Sequence, residues 1–166
     1  MRIVYASERP PYPFFLGGAA RCAHQLLLTL NTEPGAQCMA IGSARYVVTP
    51  WSFPTPTEYA SLGIKSVSNS GHAGVADCGY PVRVVSDFSR TLDALLAEFK
   101  PDIVWTQLEG ARQLLMRARN FGIQGLYFVH DAETPAAELR AIAELGCHIV
   151  CSSSFLQCKE SVGKRM

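Results

Sequence analysis

Apolar residues along the chain fall into two recurring patterns, short strand-like runs and longer stripes with helical spacing. Ile3-Val4-Tyr5-Ala6 is an unbroken apolar run with β-branched and aromatic members, which predicts a buried strand. Prolines 10, 11 and 13 exclude a helix in the stretch that follows, and Gly17-Gly18 then opens one. Its Ala23, Leu26, Leu27 and Leu30 stand at i, i+3, i+4 and i+7, one stripe of a 3.6-residue period, until Pro34-Gly35 ends the unit. Gln37 to Ile41 predicts a second strand. From Ser43 to Gly79 prolines and glycines punctuate the chain, and Ser66 to His72 reads as a flexible loop.

Order returns with the alternating strand Pro81 to Val85. Ser86 or Asp87 then caps a helix that carries Leu92, Leu95, Leu96 and Phe99 at the same helical spacing. Lys100-Pro101 stops it, and Asp102 to Thr106 predicts the next strand. Ala111, Leu114, Leu115 and Ala118 repeat the stripe, Gly122 closes it, and Leu126 to Val129 is strand-like again. Thr134-Pro135 is a helix start, Leu139, Ile142 and Ala143 form the apolar side, and Gly146 ends the helix before the strand His148 to Cys151.

Strands that alternate with helix-length crossovers must run parallel, because each return trip needs a dozen or more residues. Such crossovers are right-handed, so the expected fold class is α/β: a doubly wound, mostly parallel sheet in a three-layer α/β/α sandwich. Composition suits this, with 48% hydrophobic and 17% charged residues over 166 positions, enough to bury one core. The same values exclude a disordered chain. A net charge of +1 with scattered Lys and Arg argues against a nucleic-acid partner. The six cysteines form no CxxC pair and match no common zinc spacing, so they read as small apolar fillers in a reducing compartment. No apolar run approaches the ~18 residues of a membrane span, and Met1 leads straight into a strand, so a cytoplasmic protein is expected.

In open parallel sheets ligands bind outside the carboxyl ends of the strands. That rule selects the loop from Ser7 to Gly18, Gln107-Leu108-Glu109, His130-Asp131 and Ser152 to Ser154. Gly17-Gly18 lets the backbone come close to a ligand and aim N–H groups at an anion, or simply permits a tight turn. Neither GxGxxG nor GxxxxGK[ST] is present. His130 ends an apolar strand, where an imidazole can exchange a hydrogen bond in a cleft. His24 reads as a residue of the helix surface. No GxSxG elbow exists, and the carboxylates Glu8, Asp77, Glu109, Asp131 and Glu133 have no pairing that spacing reveals.

Four segments together resemble the N-terminal domain of family 4 glycosyltransferases. They are Met1 to Ser7 with the proline loop and Leu16-Gly17-Gly18-Ala19-Ala20-Arg21, then Lys100-Pro101-Asp102-Ile103-Val104, then Gly122 to Asp131, and lastly Cys147 to Leu156. The resemblance implies a Rossmann-like N-terminal half of a GT-B enzyme, with residues 1–166 as the acceptor-side domain and the C-terminal nucleotide-sugar domain missing from the chain. It further implies sugar transfer with retention of configuration, from a nucleotide-sugar to a carbohydrate, lipid or small-molecule acceptor. No metal and no other cofactor is expected, and the fragment alone should be inactive. By motif, Gly17 and Gly18 would lie against the donor diphosphate or the acceptor, and His130 would contact the donor sugar as the catalytic residue. Arg21, Gln107, Glu109 and Asp131 would face the cleft as substrate-binding residues. Thr106-Gln107 stands where that family often carries histidine, and its paired-glutamate motif is absent. The alternatives are a non-catalytic ligand-binding or regulatory module on the same scaffold, and an epimerase of GT-B type.

Overall fold

The computed structural model describes residues 1–47, 60–70, 73–130 and 134–151. In chain order the elements are β1 (Arg2–Ala6), α1 (Gly18–Asn31), β2 (Gln37–Ser43), β3 (Ser66–Ser70), β4 (Ala73–Asp77) and β5 (Pro81–Val85). They continue with α2 (Phe88–Phe99), β6 (Ile103–Gln107), α3 (Ala111–Asn120), β7 (Gln124–Val129), α4 (Ala136–Glu144) and β8 (His148–Cys151). Short 3₁₀ turns occupy Ala44–Tyr46 and Ala60–Leu62.

Among the described residues, one mixed sheet holds eight strands in the order β3-β4-β5-β2-β1-β6-β7-β8. The pairings from β5 across to β8 are parallel, whereas β3 and β4 form an antiparallel hairpin that pairs onto the β5 edge. The architecture is thus Rossmann-like α/β with an antiparallel margin. That margin corrects the expected flexible loop over Ser66 to His72, of which Gly71 and His72 lie outside the described residues. Four of the five β3 residues are exposed, so no buried face imprinted an alternating pattern on Ser66-Val67-Ser68-Asn69-Ser70. Gly74 is what lets the two strands close up: a Cβ there would stand 2.5 Å from Ser68 O and 2.7 Å from Asn69 Cα.

β1 lies at the centre and is apolar on both faces, as a strand covered from two sides must be. Ile3 and Tyr5 join Ala23 and Leu27 of α1, together with Trp105, Tyr80 and Val82, in one core cluster. On the other face Val4 and Ala6 pack with Leu92, Leu95 and Leu96 of α2 and Leu114 and Ala118 of α3. A third cluster joins Leu115, Tyr127, Val129, Leu139 and Ile142. Asp87 caps α2, its Oδ1 accepting from Arg90 N–H at 3.1 Å. Lys100 in the left-handed region (φ 49°) ends that helix before Pro101. The residue at the N-cap of α4 is Pro135, which supplies no side-chain cap.

The buried side of α1 is Ala20, Ala23, His24 and Leu27, rotated from the stripe that its leucines suggest. Leu26 and Leu30 instead line an apolar hollow of about 250 Å³ with Ile3, Trp105, Leu126 and Phe128, on the part of the sheet that α1 does not cover. His24 is correspondingly no surface residue. It is 6% exposed, and its Nδ1 is 2.8 Å from the Tyr80 hydroxyl. Burial holds its pKa below the ordinary 6.5 because the cation is the form that loses solvation. The unfolded chain therefore takes up this proton first, so the stability contributed here is full above pH 6.5 and drains as pH falls below it. The urea midpoint is expected to drop between about pH 7.5 and about pH 5, and His24→Gln should flatten that slope. An unchanged slope in the variant would assign the effect elsewhere. Among the described residues no helix is long and apolar enough to cross a membrane.

Candidate functional site

The carboxyl ends of β1, β6 and β7 meet beside the start of α1. After β1 the chain runs through Ser7 and Arg9 into the proline loop, which lies tightly on β2. A Cβ at Gly42 would stand 2.4 Å from Pro10 Cβ, so only glycine admits this contact. Tyr12 N–H donates to Ala20 O at 3.2 Å and braces the loop against the helix. Arg21 N–H is the first to bond within α1, to Gly17 O at 3.1 Å. The amides of Gly18, Ala19 and Ala20 therefore precede the intrahelical ladder and point out of the helix start. Gly17 and Gly18 are both exposed there, and a Cβ on Gly18 would meet nothing within 4 Å. Arg21, also exposed, holds its guanidinium 5.1 Å above the ring of Tyr12.

Gln107 ends β6 and is fully buried, not facing a cleft as expected. Its Nε2 donates to the Tyr5 hydroxyl at 2.8 Å and to Ala19 O at 3.0 Å, which ties β6 to the centre of β1 and to the first turn of α1. Its Oε1 contacts Nε2 of His130, which is half-buried just past β7 with its ring 4.7 Å from that of Phe128. Two of the expected positions, Gln107 and His130, are thus joined by one amide, which also bonds Ala19 beside Gly17-Gly18. Glu109 pairs with Arg9: its side chain is 74% exposed, its Oε1 accepts from Arg9 Nη2 at 2.8 Å, and its Oε2 stands 2.7 Å from the same nitrogen. It also lines a cavity of about 430 Å³ with Gly110, Tyr127, Thr134 and Glu138. Asp131 lies outside the described residues, as do Ser152 to Ser154.

Several contributors had no sequence signal. Tyr5 looks like one more apolar strand residue, yet its buried hydroxyl is bonded by Gln107 and Ser7, and burial pushes its pKa up to about 12. Arg9 sits over the rings of Phe15 and Tyr46 at 5.4 and 6.0 Å. Three of the described cysteines carry no nucleophile signature. Burial raises the thiol pKa of Cys38, Cys147 and Cys78, the last to about 12. Among the described residues no group of three or more His, Cys, Asp or Glu could hold a metal ion.

No protein-family model matches the chain, and no curated protein does. Among solved structures it is similar to a dodecameric FMN-dependent UbiX-like decarboxylase from Escherichia coli O157:H7. The TM-score is 0.52 and the identity 13%, over 92% of this chain and 79% of that one. What such a likeness carries over is the fold.

This finding overturns the glycosyltransferase expectation. The matched fold is that of a flavin-dependent decarboxylase, not the N-terminal half of a GT-B enzyme. The nucleotide-sugar donor and the sugar acceptor go with it. So does the expectation of no cofactor, since the matched protein depends on FMN. The physical reason is plain. The resembling segments are strands with their ends and one helix start, and any parallel α/β sheet places polar residues and glycines at such points.

Proposed function

We propose that this chain is a single domain that binds a phosphate-terminated mononucleotide of the flavin class at the carboxyl ends of β1, β6 and β7. The supporting observation is the exposed Gly17-Gly18 start of α1, with its first amides pointing outward and the Arg21 guanidinium beside it. Helix N-termini favour anions through these N–H groups and the positive end of the helix dipole, and Arg is suited to phosphate. The six parallel strands, taken alone, run in the order third, second, first, fourth, fifth, sixth, which is the dinucleotide-binding arrangement with β1 at its switch point. On this reading the sheet is doubly wound and the ligand occupies its crevice.

The residues present suit the phosphate end of FMN. Gly18, Ala19 and Ala20 would offer amides and Arg21 its charge, while His130 stands at the edge where a heterocycle would lie. When bound, a flavin supplies electron-transfer chemistry; the protein's part here is to bind and orient. The likeness to an FMN-dependent protein favours flavin over other mononucleotides. The test is titration of FMN with the purified protein, followed by quenching of flavin fluorescence and by calorimetry, with riboflavin as the phosphate-free control. Saturable FMN binding that is at least tenfold tighter than riboflavin binding is expected. Equal affinity for the two, or no binding of FMN, would refute the phosphate site.

A further inference from the structure

We infer that Gln107 is a positioning residue that holds His130 in its Nε2–H tautomer; its purpose, though not the tautomer itself, rests on the crevice being a ligand site. A carbonyl oxygen can only accept a hydrogen bond, so the group of Gln107 that faces Ala19 O at 3.0 Å must be its NH₂. The second N–H of that amide goes to the Tyr5 hydroxyl at 2.8 Å. Both donors of Gln107 are then used, and the amide cannot flip without setting its oxygen against the Ala19 carbonyl. Oε1 is left facing His130 Nε2. An oxygen of an amide has no proton to give, so the imidazole must supply the one that lies between them.

The result is a fixed relay in which His130 donates to Gln107 at the crevice and Gln107, like Ser7, donates to the Tyr5 hydroxyl in the buried centre of β1. Gln107 is fully buried, so the assignment is sheltered from exchange with water. With Nε2 committed to its proton, Nδ1 is the basic nitrogen of the neutral ring. Which edge of His130 carries the proton is thus decided from beneath by β6, before a ligand arrives. The ring is held a second time by its tilted contact with Phe128, with centroids 4.7 Å apart. Tautomer and ring plane are both set by residues that need not touch the ligand.

The experiment is a long-range ¹H–¹⁵N correlation spectrum of the histidine rings in the ligand-free protein, with His130 assigned by His130→Gln. At a pH high enough to leave the ring neutral, the expected pattern is that of a single Nε2–H tautomer. An Nδ1–H pattern or a rapidly averaged mixture in the unaltered protein would overturn the inference without any variant. Gln107→Leu removes the acceptor and should turn His130 into a tautomer mixture, with circular dichroism unchanged. A folded Gln107→Leu protein that keeps the pure Nε2–H pattern would also overturn it. Tyr5→Phe should leave the tautomer intact, because the Ala19 carbonyl alone still orients the amide. Loss of the pattern in folded Tyr5→Phe would contradict that orientation. FMN titration of the same samples separates the two readings: absence of FMN binding counts against the proposed ligand and leaves the tautomer result to stand or fall by its own spectrum.

Discussion

Gly18→Glu is expected to abolish FMN binding while the protein unfolds at the same temperature or slightly above it. The two effects have opposite signs because they act through one charge. A carboxylate in the first turn of α1 meets the positive end of the helix dipole, which favours it by roughly 0.3–1 kcal/mol. The same carboxylate would stand where the phosphate is proposed to sit. Two unit charges about 5 Å apart at an effective dielectric of about 20 repel by about 3 kcal/mol, more than a hundredfold in affinity. Space is no obstacle, since a Cβ at Gly18 meets nothing within 4 Å and the residue is already helical. Gly18→Ala is the matched control and should bind FMN as the parent does, with equal or higher stability. Undiminished FMN affinity in Gly18→Glu, measured by the same fluorescence titration, would remove the phosphate from the α1 start. A fall in unfolding temperature would mean that the substitution had damaged the fold and not the site.

How much of this arrangement could be read from the sequence follows from what each residue's surroundings imprint on it. β1 and β6 to β8 were legible, because short runs such as Ile3 to Ala6 and Leu126 to Val129 stand out between clear breaks. α2 and α3 were legible because a single stripe of each faces the sheet. The β3–β4 hairpin was not, since Ser66 to Ser70 has almost no buried face and so no hydrophobic period to display. The orientation of α1 was half legible. Its leucines advertise a stripe, but Leu26 and Leu30 overlook the uncovered part of the sheet, while His24 is drawn inward by a tyrosine 56 residues away.

The site divides the same way. Gly17-Gly18, Gln107 and His130 were selected by the rule that strand ends bear ligands, which needs only the order of elements. Their coupling was invisible, because Gln107 owes its role to Tyr5, 102 positions earlier, and to a backbone carbonyl in α1. A side chain that faces a cleft and one buried beneath it look alike in a sequence. The family reading failed for a related reason. Its motifs were short strands with their ends and one helix start, and two of them run into Asp131 and into residues 152–156, which lie outside the described structure.

Leu115→Ala is expected to cost about 3 kcal/mol, within the 2–5 kcal/mol spread of such truncations. Leu115 is fully buried and sits where α3 and β7 meet, in one cluster with Tyr127, Val129, Leu139 and Ile142. The fit there is tight on both sides. A Cβ added to Gly125 would lie 2.8 Å from Leu115 Cδ2 and 2.5 Å from Cys147 Sγ. Removing the leucine therefore leaves a hole that a rigid sheet cannot close, so the transfer and cavity penalties add. The chemical-denaturation midpoint should fall with its slope unchanged, because the surface exposed on unfolding hardly alters. Gly125→Ala alone should also destabilise, by overpacking against those two side chains. Combined, the two changes should cost less than their sum by about 1 kcal/mol, since the new methyl enters the space the leucine vacates and only the end of the Cys147 side chain must give. Strict additivity in that double-mutant cycle would mean that Leu115 and Gly125 do not share the contact on which the seating of α3, and with it the position of β7 under His130, depends.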